Sequence, residues 1–154
     1  MSKRMKQLLI VYESRTGNTE AMAKAVYEGA LSAGATVSLK KASQATCDDL
    51  LNCDSVILGS PTHFGYMAGT LQEFLTEAYI TLGKKSVTKP YAAFSIGESG
   101  GRKTLESIDY ICHEFSQYCK FCFQKAADGV AARGKVSPEV LEQCKELGKK
   151  MAQL

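Results

Sequence analysis

The sequence has no long apolar run, no long basic tract and no internal repeat. A membrane-spanning helix needs about 20 consecutive apolar residues, so no span is predicted. Its 19 basic and 16 acidic residues give a net charge of only +3, and the basic residues are scattered in pairs such as Lys40-Lys41 and Lys84-Lys85. Because nucleic-acid-binding surfaces concentrate basic residues in one patch, the sequence also argues against a nucleic-acid partner.

The chain starts with the basic residues Lys3, Arg4 and Lys6, followed by a short apolar run at 8–12. This start superficially resembles a signal peptide, but the apolar run is too short and no small-residue cleavage site follows it. We interpret the run as the first strand and predict a cytoplasmic protein. A chain of 154 residues is long enough for one well-packed core, and we predict that residues 1–154 form a single domain.

The six cysteines include a single Cys-x-x-Cys pattern, at Cys119 and Cys122. These two thiols can form a redox pair, or half of a metal site together with Cys112 and His113. A closed zinc site usually has a second such pair, which is absent. Cys112 and Cys119 also continue an apolar helical stripe that begins at Leu105, and a free cysteine packs like a small apolar side chain. We therefore predict reduced, structural cysteines and no bound metal.

Short apolar runs alternate with helical patterns along the whole chain. Strands are predicted at 8–12, 36–39, 55–58, 91–94 and 121–127. Continuous apolar runs are typical of parallel strands that are covered on both faces, whereas 36–39 alternates and 121–127 is polar, as expected at sheet edges. Five successive strand-and-helix units predict an α/β fold with a parallel sheet.

Two helix starts carry clear capping signals. Thr46 is followed three residues later by Asp49, which indicates a capping box. Ser137 precedes Pro138, which suits the first position of a helix because its missing N–H has no partner there in any case.

Three loops rich in glycine, hydroxyl and aromatic residues follow the first, third and fourth strands, at 14–19, 59–69 and 95–101. Ligands of open α/β sheets bind beyond the carboxyl ends of the strands, where these loops would meet. The first loop ends at a helix N-terminus, whose free N–H groups suit a phosphate. The other two loops offer aromatic rings and backbone polar groups for a flat molecule. A flat ring with a phosphate tail describes FMN.

The first loop lacks the Gly-Lys-Ser/Thr of a Walker P-loop and the three glycines of a dinucleotide fingerprint. Its donors therefore suit a terminal phosphate monoester better than a triphosphate or a pyrophosphate. Each hydrogen bond to such a charged acceptor contributes about 1.5–3 kcal/mol, so several can hold a phosphate without a lysine. The alternative is an ordinary helix cap, against which the other two loops argue.

The stretches Ser14-Arg15-Thr16-Gly17-Asn18-Thr19 and Gly59-Ser60-Pro61-Thr62 resemble the flavodoxin family, and strand order and loop positions fit that family over essentially the whole chain. The run from Pro61 to Met67 is more similar to the WrbA-type NAD(P)H:quinone oxidoreductases than to electron-carrier flavodoxins. The resemblance implies a flavodoxin-like three-layer α/β/α sandwich with a five-stranded parallel sheet in the order 2-1-3-4-5. It also implies noncovalently bound FMN.

The resemblance further implies which residues bind FMN. The phosphate is assigned to the first loop and the isoalloxazine ring to the second and third loops: Ser14, Arg15, Thr16, Gly17, Asn18 and Thr19 for the phosphate; Pro61, Thr62, His63, Phe64 and Gly65 for one side of the ring; Ser95, Ile96, Gly97, Glu98 and Gly101 for the other. No residue stands out as a catalytic acid or base, although His63 is positioned to help protonate a quinone.

Electron-carrier flavodoxins usually have a stacking tyrosine in the third loop and are strongly acidic, and this sequence has neither feature. The missing tyrosine leaves room for a nicotinamide beside the flavin. We therefore predict a redox flavoprotein that uses NAD(P)H to reduce quinone-type or other small acceptors. The alternative is a one-electron carrier between redox proteins, without its own substrate. Tyr66 can serve a subunit contact in a homo-oligomer.

Two other classes share this topology. A signalling receiver domain needs an acidic pair after the first strand and an aspartate at the end of the third, where this chain has Glu13-Ser14 and Gly59-Ser60. A flavodoxin-like scaffold that has lost its cofactor is a second alternative. A colourless protein that does not bind added FMN would identify it.

Overall fold

The computed structural model describes residues 4–154; residues 1–3, including Lys3 of the basic start, lie outside the described part. Strands and helices alternate along the described chain. The strands are β1 (Gln7–Tyr12), β2 (Thr36–Lys41), β3 (Ser55–Pro61), β4 (Thr88–Gly97), β5 (Cys122–Lys125) and β6 (Val130–Arg133). The helices are α1 (Asn18–Ser32), α2 (Cys47–Asn52), α3 (Gly69–Leu82), α4 (Arg102–Tyr118) and α5 (Pro138–Ala152). None of these helices is both long and apolar enough to cross a membrane.

The strands form one parallel sheet in the order β2-β1-β3-β4-β5, which confirms the predicted order 2-1-3-4-5. The apolar strands β1 and β3 lie inside the sheet and are buried on both faces. β2 lies at one edge, and every second residue along most of its length is exposed, as its alternating sequence predicts.

The sheet contains one short strand more than the five predicted: β5 lies within the predicted strand 121–127, and β6 follows it as an addition. β5 pairs with the first half of β4, at Thr88–Tyr91, and β6 pairs with the second half, at Phe94–Gly97. Between them the chain turns past Gly129, where an added Cβ would lie 2.7 Å from the carbonyl oxygen of Ala93. β4 has ten residues and β5 only four, so the long strand keeps a free edge that β6 occupies.

Two central strands continue further than their apolar runs indicate. β3 extends to Pro61 and β4 to Gly97, and the two stay paired through Ser60↔Ser95 and Pro61↔Ile96. Both serines are fully buried, and the Ser95 hydroxyl donates to the carbonyl oxygen of Ser60 over 2.6 Å. A buried serine is stable there because its hydroxyl has a backbone partner.

Helices cover both faces of the sheet and give the predicted three layers. α1 and α5 pack on one face, and α2, α3 and α4 pack on the other. Alternate residues of the central strands point into the two cores: Leu8 and Ile10 into the first, Leu9 and Val11 into the second. The parallel order brings the carboxyl ends of β1, β3 and β4, and hence the three loops, to one edge.

Both predicted helix caps are confirmed. The Thr46 hydroxyl accepts from the Asp49 amide over 3.1 Å, and the Asp49 carboxylate accepts from the Thr46 amide over 2.9 Å. The Ser137 hydroxyl accepts from the Val140 amide over 3.2 Å, with Pro138 at the first helical position.

Candidate functional site

The three predicted loops meet around one cleft at the carboxyl edge of the sheet. The cleft has a volume of about 230 Å³. Ten of the residues that line it were predicted from the sequence, and Gly134 is the eleventh; the predicted ones are Arg15, Thr16, Asn18, Thr19, Pro61, Thr62, His63, Ile96, Gly97 and Glu98. Residues from four separate segments thus share one small concave surface.

The first loop presents free backbone N–H groups to this cleft. Gly17 precedes α1 with a φ of 95°, a left-handed conformation that glycine adopts without strain. The Ser14 hydroxyl accepts from the amides of Gly17 (3.1 Å) and Glu20 (3.3 Å), which holds the loop in a tight turn. Among the described residues, no acceptor is paired with the amides of Arg15, Thr16, Asn18 or Thr19. Such a set of unpaired amides at a helix N-terminus favours an anion.

Two carboxylates behind the loop fix its position. Glu13 accepts from the Ser14 amide over 2.8 Å and from the Thr70 hydroxyl over 2.7 Å, which ties the end of β1 to the start of α3. The Tyr12 hydroxyl donates to Glu20 over 3.0 Å, which ties β1 to the first turn of α1. Burial and this hydrogen bond raise the pKa of Tyr12 to about 12, so the phenol stays a neutral donor at neutral pH.

The second loop contains a tight turn with an unusual backbone. His63 and Tyr66 exchange two backbone hydrogen bonds, of 2.8 and 3.0 Å, around Phe64 and Gly65. Both central residues have positive φ, 55° for Phe64 and 76° for Gly65. This pattern is typical of a type I′ turn, in which Asn-Gly is the favoured pair. Phe64 is nevertheless fully exposed, so packing does not explain a phenylalanine here.

Replacing Phe64 with asparagine should therefore stabilise the protein by about 1 kcal/mol, because asparagine tolerates the left-handed conformation better than phenylalanine. The measurement is urea unfolding followed by circular dichroism, since the chain contains no tryptophan. Phe64→Ala is the matched control, because it also removes the exposed ring but keeps the unfavourable φ. Equal unfolding free energies of the two variants would contradict the explanation.

The third loop is closed by one carbonyl. The Gly97 oxygen accepts from the amides of Gly100 (3.0 Å) and Gly134 (2.8 Å), which joins the ends of β4 and β6. Thr62 packs directly on Gly97, where an added Cβ would lie 2.5 Å from the Thr62 Cβ. The Thr62 hydroxyl in turn accepts from the buried Thr104 hydroxyl over 2.9 Å. Thr62 therefore fixes the second and third loops relative to one another.

A larger cavity of about 770 Å³ adjoins the cleft. Three segments run from the wall of the cleft directly into the wall of this cavity, at His63–Phe64, Glu98–Ser99 and Arg133–Gly134. The remaining wall carries Gly65, Gly100, Gly101, Arg102, Lys103, Ala131 and Ala132.

Six predicted site residues do not line the small cleft. Phe64, Gly65 and Gly101 line the adjoining cavity. Ser14 and Gly17 shape the first loop from within, and Ser95 is buried behind Thr62, with the two hydroxyl oxygens 3.3 Å apart. The assignment of all sixteen residues to a cofactor stays a prediction.

Sequence reasoning missed three residues that shape this region. Thr104 supports Thr62, and Gly134 and Arg133 reach the loops from the end of β6. Gly134 follows a short strand, and a glycine in such a position is only a weak indication of a functional site. The proximity of Arg133 and Gly134 to the loops follows only from the pairing of β6 with β4.

All six cysteines are free thiols in the described part of the chain. Cys53, Cys112 and Cys144 are buried in the two cores, and burial raises the pKa of each. Cys119 ends α4 and is half-buried, like Cys122, while His113 is exposed. Within residues 4–154 no group of three or more histidine, cysteine or acidic side chains is arranged to hold a metal. A redox role of Cys119 and Cys122 stays untested.

Comparison with known proteins identifies the family. A family model described as a flavodoxin domain matches residues 9–124. A flavodoxin of Aquifex aeolicus is 31% identical over 97% of this chain and 86% of its own length. The structure of an archaeal flavodoxin superposes with a TM-score of 0.79 at 24% identity, and the alignment covers 96% of each chain. The chain therefore belongs to the flavodoxin-like family of FMN-binding domains.

A second group of relatives matches only part of the chain. The NAD(P)H dehydrogenase (quinone) of Rhodopseudomonas palustris strain HaA2 is 38% identical over 48% of this chain. The match covers 47% of that enzyme, so the similarity spans about half the length of each protein. Similarity to both groups agrees with the sequence of the second loop. Its start, Gly59-Ser60-Pro61-Thr62, resembles flavodoxins, and the run from Pro61 to Met67 is more similar to the quinone oxidoreductases.

Proposed function

We propose that this protein binds FMN noncovalently and acts as a redox flavoprotein. The observation that carries the proposal is the convergence of loops 14–19, 61–65 and 95–101 on one edge of the sheet, with free amides at one end. The cleft of about 230 Å³ is smaller than most ligand sites, so a bound FMN would extend from it toward Phe64 and Gly65.

The phosphate end would lie against the first loop. The amides of Arg15, Thr16, Asn18 and Thr19, which have no acceptor among the described residues, would supply donors. The Ser14 hydroxyl accepts from two amides and still has its own proton to donate. Hydrogen bonds to a charged phosphate are stronger than neutral ones, so this set needs no lysine. Arg15 adds a positive charge at the rim.

The flat end would lie between the second and third loops. Pro61, Thr62 and His63 offer one wall, with Phe64 and Gly65 beyond them, and Ile96, Gly97, Glu98 and Gly101 offer the other. Ser95 would act indirectly, by supporting Thr62. The contact between Thr62 and Gly97 keeps the two walls at a fixed separation, which suits a rigid planar group.

Bound FMN would supply the chemistry of a two-electron transfer from NAD(P)H to a quinone. The residues of this chain would position the two reactants. The half-buried His63, which lines the cleft, would deliver a proton to the acceptor oxygen. Similarity to the quinone dehydrogenases supports this activity.

The alternative is a one-electron carrier between redox proteins. The flavodoxin of Aquifex aeolicus supports it, because that match extends over nearly the whole chain, whereas the match to the quinone dehydrogenase extends over about half. Cytoplasmic location, a redox partner protein and assembly into a homo-oligomer stay predictions.

Titration with FMN tests the proposal. The protein should quench FMN fluorescence at a ratio of one FMN per chain, and the complex should be yellow. Riboflavin, which has the same ring without the phosphate, should bind far more weakly if loop 14–19 holds the phosphate. A protein that binds neither would be a scaffold without a cofactor.

Mixing the loaded protein anaerobically with NADPH or NADH then separates the two functions. Rapid bleaching of the flavin absorbance by the nucleotide alone, followed by recovery on adding a quinone, is the result expected of the reductase. Slow bleaching by both nucleotides would favour the carrier.

A further inference from the structure

The larger cavity beside the cleft carries three cationic side chains, which are not assigned to FMN. Arg102 and Lys103 are the first two residues of α4, and Arg133 is the last residue of β6. All three are exposed. None of them is within 4.0 Å of a carboxylate oxygen in the described part of the chain, although five other basic side chains there form ion pairs.

Two of these cationic side chains lie beside the loops. An added Cβ on Gly65 would lie 3.3 Å from Lys103 Cδ, so the lysine stem passes close to the turn of the second loop. An added Cβ on Gly100 would lie 3.8 Å from Arg133 Nε and Nη2, so the guanidinium lies beside the third loop. Two cations from different elements are thus positioned across one concave surface.

The FMN phosphate does not account for this charge. Four residues of loop 14–19 line the small cleft, namely Arg15, Thr16, Asn18 and Thr19, and no residue of that loop lines the larger cavity. Three like charges around one cavity repel one another unless an anion binds among them, and a concave surface concentrates their attraction for that anion. The cavity therefore fits a second anionic ligand, next to the flat end of the proposed FMN.

We propose that this cavity binds the phosphate groups of a nicotinamide dinucleotide, the electron donor of the proposed reductase. Guanidinium groups recognise phosphates with paired hydrogen bonds. The exposed ring of Phe64 offers a flat apolar surface for one of the bases. A cavity of about 770 Å³ is of the size that small-molecule ligands occupy. The inference rests on the proposed NAD(P)H-dependent function.

Three cations exceed what a pyrophosphate with two negative charges requires. The third would suit the additional ribose phosphate of NADPH, so NADP⁺ should bind more tightly than NAD⁺. This preference distinguishes the site from a surface that merely attracts any nucleotide.

The test is isothermal titration of the FMN-loaded protein with NADP⁺, which binds without transferring electrons. The variant R102Q/K103Q/R133Q should bind NADP⁺ at least about tenfold more weakly, because it loses charge-assisted hydrogen bonds. The variant K24Q/K84Q/K120Q is the matched control, because it removes three exposed lysines that lie away from both cavities and form no ion pair within residues 4–154, and it should bind as the wild type does.

The affinity of each variant for FMN is measured in parallel and should not change. Equal NADP⁺ affinity of the triple variant and the wild type, or no NADP⁺ binding by a wild type that holds FMN, would overturn the inference and leave FMN binding intact. A triple variant that loses FMN as well would also overturn it, since the cations would then serve the flavin. A wild type that does not bind FMN refutes the proposed function itself. If the triple variant does not fold, the affinities for NADP⁺ and FMN are measured instead on the single variants Arg133→Gln and Arg133→Lys.

Discussion

Gly97→Ala should weaken FMN binding by about a hundredfold, the largest effect on the site that we expect from one added methyl group. Gly97 does not have a positive φ, so alanine is acceptable to the backbone. The obstacle is space, because the new Cβ would lie 2.5 Å from Thr62 Cβ and 2.8 Å from Thr62 Oγ1. The second and third loops would have to separate, and they are the two walls between which the ring is proposed to lie.

Thr62 has little freedom to avoid this methyl group. Its amide donates to the Ile96 carbonyl over 2.9 Å, and its hydroxyl accepts from Thr104. Overpacking of this kind typically costs about 1–3 kcal/mol, so the protein should also unfold more easily. The change in FMN affinity arises from the altered spacing of the walls.

Fluorescence titration with FMN and urea unfolding of the protein without FMN measure the two effects. Gly69→Ala is the matched control, since a Cβ there meets nothing within 4 Å and φ is not positive. In a Thr62→Gly background the effect of Gly97→Ala should largely disappear, because the clashing side chain is absent. Wild-type FMN affinity of Gly97→Ala in the presence of Thr62 would contradict the proposed position of the ring.

Gly148→Ala should cause the largest loss of stability, about 2 kcal/mol or more. Gly148 of α5 lies where that helix crosses α1, and its added Cβ would collide with the Val26 carbonyl oxygen and lie 2.8 Å from the Ala30 amide nitrogen. Gly29 occupies the opposite position in α1, against the backbone of Lys145. Two glycines thus allow the helix backbones to touch.

Two opposing effects decide whether Gly148→Ala stabilises or destabilises the protein. Alanine is favoured over glycine inside a helix by about 1 kcal/mol, which would stabilise the variant. The collision involves backbone atoms, which cannot rotate away as the end of a side chain can, so the helices must move apart. That movement would also expose buried neighbours such as Met151 and Val26.

Urea unfolding monitored by circular dichroism measures the loss, with Gly69→Ala again as the control for adding one methyl group. Gly29→Ala should behave similarly, and the double variant should lose less than the sum of the single losses, because separating the helices once accommodates both methyl groups. A Gly148→Ala protein as stable as the wild type would refute the close crossing.

The apolar runs predicted the central strands but not where they end. Ser60 and Ser95 are polar, yet both are buried in the sheet because their hydroxyls bond to neighbouring backbone or hydroxyl groups. Hydrophobic periodicity cannot anticipate this, since it treats every serine as exposed. The additional strand β6 was missed because it depends on a partner far away in the chain: it pairs with the end of β4, which β5 leaves free.

The site was predictable to the extent that it follows from chain order. Loops that follow parallel strands meet at one edge of the sheet. The loops 14–19, 59–69 and 95–101 could therefore be assigned to one site from the sequence alone. The cationic cavity could not be inferred in this way. Glu106 follows Arg102 and Lys103 at spacings that allow helical ion pairs, and only the structure shows that neither cation is paired with a carboxylate in the part of the chain it describes.

The sequence by itself determined that the sheet is parallel, because strands and helices alternate along the whole chain, whereas the strand order 2-1-3-4-5 was implied by the family resemblance. It also determined the donor chemistry of loop 14–19, because the missing lysine and the single glycine are facts of the sequence. Only the tertiary structure decided the left-handed turn at Phe64, the contact between Thr62 and Gly97, and the gathering of Arg102, Lys103 and Arg133. These features depend on the distances between segments that are far apart in the chain, and packing sets those distances.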